Sequence, residues 1–121
     1  MMFFRWLVFL SGLLGAMASL QADETSAEVV LVKEKNSSYG PDLELKVGQT
    51  VRILNAERTR HVTNVKYYAQ AGATPEIVVK NHHDHPGKAF DFKLDRPGLY
   101  RVQCLLHLPM RMNIRVEAVS P

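Results

Sequence analysis

The segment Cys104-Leu105-Leu106-His107-Leu108-Pro109-Met110 places a thiolate, an imidazole and a thioether within seven residues. Thiolate and thioether are soft ligands suited to copper, and imidazole serves copper well. A cysteine at a strand end with a histidine three residues on lets two ligands converge from one tight loop. A trigonal His₂Cys site with a weak axial methionine is the blue-copper arrangement. It needs a second histidine from elsewhere, and His61 is well placed, following an apolar stretch, Val51 to Leu54, and the polar run from Asn55 to Arg60. The chain has one cysteine, so no intramolecular disulfide can form. A lone thiol in an oxidising compartment must be buried, paired with another chain, or holding a metal. A buried inert cysteine competes with the ligand reading, but the loop around Cys104 favours the ligand.

A second cluster, His82-His83-Asp84-His85, offers three imidazoles and a carboxylate within four residues. Histidine-rich tracts can hold Cu(II) or Zn(II). The competing reading is a polar loop ended by the turn residues Pro86-Gly87.

These residues need a frame, and the periodicity of the chain is that of strands. Leu43 to Val47 alternates apolar and polar, as a half-buried strand does. Ala89 to Leu94 alternates again, with Phe90, Phe92 and Leu94 on one face. The β-branched run Glu28 to Val32 reads as another strand. So do Val51 to Leu54, Val62 to Tyr68, Glu76 to Lys80, Leu99 to Cys104, and Asn113 to Val119. Asp95-Arg96-Pro97-Gly98 is a turn by its chemistry, proline presetting φ and glycine tolerating positive φ. Ala69 to Pro75 reads as loop, with a short helix as the alternative. About eight short strands with turn signals between them predict an all-β sandwich or barrel.

The chain has 121 residues, enough for one domain. Arg5, the apolar run Trp6 to Leu14 and the small residues Gly15, Ala16 and Ala18 have the layout of a secretory leader. The run is too short for a membrane anchor, which needs about 20 apolar residues. Cleavage is expected after Ala22, with Ala18 as second choice. Residues 1–22 are then the signal peptide, 23–121 the functional domain, and the expected location is the periplasm. The formal charge of the whole chain is +3, too mild to argue for nucleic acid.

With strands and ligands laid out, the sequence resembles the cupredoxins, in particular the plastocyanin- and amicyanin-like proteins. The resemblance spans Tyr39-Gly40-Pro41, Leu43 to Val47, Gly48-Gln49-Thr50-Val51, Asn55 and His61. It continues through Phe90-Asp91-Phe92, Pro97-Gly98-Leu99-Tyr100, Cys104, His107 and Met110. It implies a Greek-key β-sandwich with one type 1 copper ion near one end. Cys104, His107 and a methionine would lie on the last inter-strand loop and His61 on an earlier one. It implies one-electron transfer, with Cu(I) and Cu(II) alternating.

Two departures stand out. The family usually has His-Asn-Val at its first ligand, whereas this chain reads His61-Val62-Thr63-Asn64-Val65. Either His61 is the ligand with Val62 in the asparagine position, or Asn64-Val65 is the family pair and Thr63 replaces the histidine. The first is favoured, because losing a strong ligand would wreck the site. Met110 and Met112 both have the spacing of an axial residue, and the strand phase after Met110 favours Met110.

The expected function is therefore a periplasmic electron carrier, monomeric and not an enzyme, serving redox partner proteins. Leu105, Leu106, Leu108 and Pro109 would frame His107 as an apolar docking patch. Arg58, Arg60 and Arg111 would favour a partner with an acidic surface. Nucleic acid is not an expected partner, and a membrane is one only if the leader stays uncleaved. The alternative is a periplasmic copper carrier or scavenger that also uses His82 to His85.

Overall fold

The computed structural model describes residues 28–119. The expected leader, residues 1–22, lies outside the described residues. Eight strands run in order: β1 Val29–Glu34, β2 Leu43–Lys46, β3 Thr50–Asn55, β4 His61–Tyr68, β5 Glu76–Asp84, β6 Ala89–Lys93, β7 Gly98–Cys104 and β8 Arg111–Glu117. They form two sheets, one ordered β1-β3-β6 and the other β2-β8-β7-β4-β5. The expected all-β Greek-key sandwich is the architecture found.

The alternation read from sequence is the alternation of burial. Val51, Ile53, Phe92 and Leu94 point inward from one sheet, and Val65, Tyr67, Tyr100, Val102, Ile114 and Val116 from the other. This face-to-face packing of two apolar surfaces drives the fold. Tyr100 crosses the core and its hydroxyl accepts from the N–H groups of Asp95 and Arg96, at 3.1 and 3.3 Å. The turn entering β7 is thereby tied to the core.

The register decides where the site sits. Glu34 ends β1 opposite Asn55 at the end of β3, Asp84 ends β5 opposite His61 at the start of β4, and Thr63 faces Cys104 at the end of β7. All these residues therefore collect at one pole of the sandwich.

One sequence expectation needs correction. β5 is longer than the expected Glu76 to Lys80 and absorbs His82, His83 and Asp84, so the histidine cluster is mostly strand and not loop. β5 is the edge strand of its sheet and most of its residues are exposed. An edge strand has no buried face to impose alternation, so its periodicity is blank. It also carries a bulge opposite Thr63 and Val65, where Asn81 takes φ 50° and its N–H donates to Asn64 Oδ1. Asn64 thus serves the bulge and not the ligand loops. Ala69 to Pro75 is loop, with a turn closed by the Ala73 N–H on the Gln70 carbonyl at 3.1 Å.

At Gly98 a side chain has no room. Its φ is 139°, and a Cβ there would lie 2.6 Å from the Tyr68 carbonyl oxygen and 2.9 Å from the Tyr67 ring. Gly98→Ala should therefore destabilise the fold by about 1–3 kcal/mol. Denaturant unfolding of the variant checks this, and an unchanged midpoint would contradict the steric account.

Candidate metal centre

His61 opens β4, Cys104 ends β7, and His107 lies on the loop between β7 and β8. One nitrogen from each histidine and the Cys104 sulfur all lie within 4.8 Å of one another. Cys104 Sγ is 3.7 Å from His61 Nδ1 and 3.9 Å from His107 Nδ1. A thiol has one proton and cannot serve two imidazoles, so a cation among the three atoms suits them better. The distances fit that reading. With bonds of about 2.3 Å to sulfur and ~2.0 Å to nitrogen, as at zinc, a trigonal ion sets each sulfur–nitrogen edge near ~3.7 Å and a tetrahedral one near ~3.5 Å. The observed edges match the trigonal value, and the donor set is the one copper prefers. Copper of type 1 is the ion these side chains fit.

Each donor is positioned by identifiable contacts. His61 is fully buried, and its Nε2 donates to Glu57 Oε1 at 2.6 Å. That bond fixes the tautomer and leaves the Nδ1 lone pair facing the sulfur. Hydrogen bonding to His61, with help from the Ser37 and Asn36 N–H groups against some desolvation, holds the Glu57 carboxyl below the usual range. Glu57 is placed by Asn55, whose Oδ1 accepts from the Glu57 N–H at 2.9 Å. Asn55 Nδ2 donates to the carbonyls of Thr59 and Asp84, at 2.9 and 2.7 Å. A buried asparagine thus ties the β3–β4 loop to the end of β5. Val62 follows His61, and its carbonyl accepts the Leu105 N–H at 2.8 Å. That backbone bond anchors the second ligand loop to β4.

The ligand loop closes on itself. The Cys104 N–H donates to the Met110 carbonyl at 3.0 Å, and the Met110 N–H to the His107 carbonyl at 2.8 Å. Met110 and Met112 are both buried. In the β7–β8 ladder Met112 faces Val102. Extending that register, and with the Cys104–Met110 backbone bond, Met110 faces Cys104 itself. Directly opposed residues share a sheet face with Cβ atoms about 5 Å apart, whereas diagonal neighbours are nearer ~7–8 Å.

The expected histidine cluster is divided. His82 stacks on Phe90 with ring centroids 3.9 Å apart, and its Nδ1 bonds Asp84 Oδ1 at 2.6 Å. His83 and His85 lie on the other face of the strand.

Beneath the metal pole lies a group that the sequence did not announce. Glu34, Thr63 and Asp84 are buried together with the Tyr39 hydroxyl. Thr63 Oγ1 lies within hydrogen-bond reach of both carboxyls, 3.3 Å from Glu34 Oε2 and closer to Asp84 Oδ2, and 2.8 Å from the Tyr39 hydroxyl. One threonine proton cannot serve two carboxylates, and among the described residues Glu34 Oε1 meets no hydrogen-bond donor. Burial, then hydrogen bonding to Asp84 and its charge, and the Cys104 charge push the Glu34 carboxyl up to about 9, the Thr63 contact acting in the opposite sense. Burial also pushes the Tyr39 phenol far above its ordinary range, against its bond to Thr63, so it remains neutral. The sequence reading gives no chemical role to Tyr39 or to Glu57, which lies in the polar run from Asn55 to Arg60. The Glu57–His61 spacing was visible, but its meaning needed a buried histidine.

Glu34 keeps its proton in the folded chain at pH values where the unfolded chain has lost it. Its folded pKa is raised, so the stabilisation is complete below about 4.5, declines as pH rises, and is gone above about 9. The decline is about 1.4 kcal/mol per pH unit. Glu34→Gln should remove it. Denaturant unfolding of the metal-free protein should show the variant gaining on the parent steadily from pH 5 to 9, and a constant difference would mean that Glu34 holds no such proton.

No protein-family model and no curated protein matches the chain. Solved structures do. A reduced amicyanin with a proline-to-phenylalanine substitution is 27% identical over 74% of this chain and 82% of its own, with a TM-score of 0.58. The Cu(I) form of an amicyanin with a methionine-to-alanine substitution is 26% identical over 79% of this chain and 89% of its own, with a TM-score of 0.59. A Cu(I) amicyanin with a methionine-to-glutamine substitution is 26% identical, with a TM-score of 0.58 over 74% of this chain and 82% of its own.

Proposed function

We propose that this chain, cupredoxin-like in fold and similar to amicyanin, is a periplasmic blue copper protein that carries single electrons between redox partners. The observation that carries the reading is the convergence of His61 Nδ1 and His107 Nδ1 on Cys104 Sγ, at 3.7 and 3.9 Å. His61, Cys104, His107 and Met110 would hold the copper. Copper supplies a one-electron Cu(I)/Cu(II) couple there. The protein supplies rigidity: Glu57, Asn55 and the loop's own backbone bonds hold the donors in place, so the ligands need move little when the electron count changes. Localisation follows from removal of residues 1–22 on export.

Electrons enter and leave through His107. Two ligands are buried and His107 is exposed. Around it Leu105, Leu106 and Leu108 are 41, 49 and 63% exposed. A small apolar patch with a redox edge at its centre suits brief encounters, whose interfaces are small. Arg58, Arg60 and Arg111 are exposed nearby in the sequence and favour an acidic partner.

Adding Cu(II) to the purified domain should give an intense thiolate-to-copper absorption band and a paramagnetic resonance spectrum with narrow hyperfine splitting, both lost in Cys104→Ala. A weak, ordinary Cu(II) spectrum that survives in Cys104→Ala would refute the assignment. The charge argument has its own check. Oxidation of the reduced protein by an anionic iron hexacyanide should slow as salt is raised, and oxidation by a cationic cobalt(III) ammine should not. The same salt response for both reagents would remove the case for an acidic partner.

A further inference from the structure

We propose that His83 and His85 form a second metal site, a two-imidazole chelate on the protein surface for a divalent first-row cation, with Cu(II) held most tightly. This goes beyond the electron-carrier reading and does not depend on it.

The argument begins with strand geometry. Residues two apart on an extended segment point to the same face. His83 ends the exposed side of β5 and His85 follows directly, both exposed. Their rings lie nearly parallel, 25° apart in plane with centroids 6.5 Å apart. Asp84, between them, points inward to Thr63. Its backbone register with His61 puts the two histidines on the opposite side of the sheet from the Cys104 centre. One ion therefore cannot use both sets of ligands, and a second ion does not compete for the first site's donors.

His82 does not take part. Its ring is stacked on Phe90 and its Nδ1 is held by Asp84. The three-imidazole cluster of the sequence is thus a pair.

The backbone of the pair is fixed, and one of its nitrogens is engaged by Arg60. β5 is the edge strand of its sheet, and both histidines are exposed. The Lys88 N–H donates to the His85 carbonyl at 3.0 Å and fixes the backbone of the second ligand. Arg60 Nη1 lies 2.8 Å from His83 Nδ1. Guanidinium is only a donor, so His83 Nδ1 is an acceptor here, a lone pair directed at a cationic group. A metal ion must displace Arg60 to reach it. Imidazole suits Cu(II), Ni(II) and Zn(II), and the affinity order places Cu(II) highest. Water would fill the remaining coordination positions.

Zn(II) titrated into copper-loaded full-length protein, followed by calorimetry, tests the site. One further equivalent should bind, with histidine ring proton shifts in the magnetic resonance spectrum confined to His83 and His85. His83→Ala and His85→Ala should each abolish that equivalent, and His82→Ala should leave it. Arg60→Ala should tighten binding on the order of tenfold, as the competing donor is gone. Repeated on Cys104→Ala, the surface equivalent should persist, so a failure of the Cys104 site and a failure of this one are told apart. A second equivalent of Cu(II) should add an ordinary Cu(II) resonance spectrum at lower free metal than Zn(II) requires. No further equivalent of Zn(II), its survival in both single histidine variants, or its loss in His82→Ala would overturn the proposal.

Discussion

The metal pole depends on how Cys104 is pinned. It ends β7 opposite Thr63, its N–H closes the following loop onto the Met110 carbonyl, and its sulfur lies at hydrogen-bonding range from two Nδ1 atoms. The neighbouring residue, Leu105, is bonded back to β4. A loop held at both ends in this way keeps the sulfur and the two imidazoles together. The Glu57–Nε2 bond adds a directional constraint on the buried ligand. Without it His61 could present either nitrogen.

The same pole carries a cost. Two carboxyls and a phenol share the interior with the thiol, and among the described residues one carboxyl oxygen meets no hydrogen-bond donor. Leaving a buried polar group unsatisfied is expensive, and a charge there more so. The chain meets that cost by keeping Glu34 protonated and by leading Asp84 through His82 to the surface. The neutral Tyr39 hydroxyl completes the network from the β1–β2 connection. The metal centre thus rests on a polar base that a purely apolar core would not provide, and the buried asparagine Asn55 joins its edges.

Most strands were legible because their burial is one-sided: Leu43 to Lys46 and Ala89 to Lys93 alternate as the pleat requires. β5 was legible only at its start, because an edge strand exposed on both faces has no period to read. The ligand loop was legible for a different reason. Cys104 and His107 are close in sequence, so their convergence is a local matter of loop length. His61 required a second strand, yet its position after an apolar run was a sufficient signal.

What the sequence determined by itself was chemistry carried by residue type at short range: a single cysteine among soft ligands, a turn before β7, and two inward faces to make a sandwich. Tertiary structure decided everything that depends on register. A shift of one residue in a strand pair turns every side chain to the other face. Only the observed pairing puts Asp84 inside with His61 and sends His83 and His85 outward. It also brings Glu34 and Thr63, 29 residues apart, into one buried network, and sets Met110, ahead of Met112, across from the cysteine. Such meetings belong to neither partner's local sequence, since they follow from backbone hydrogen bonding between strands that are distant along the chain.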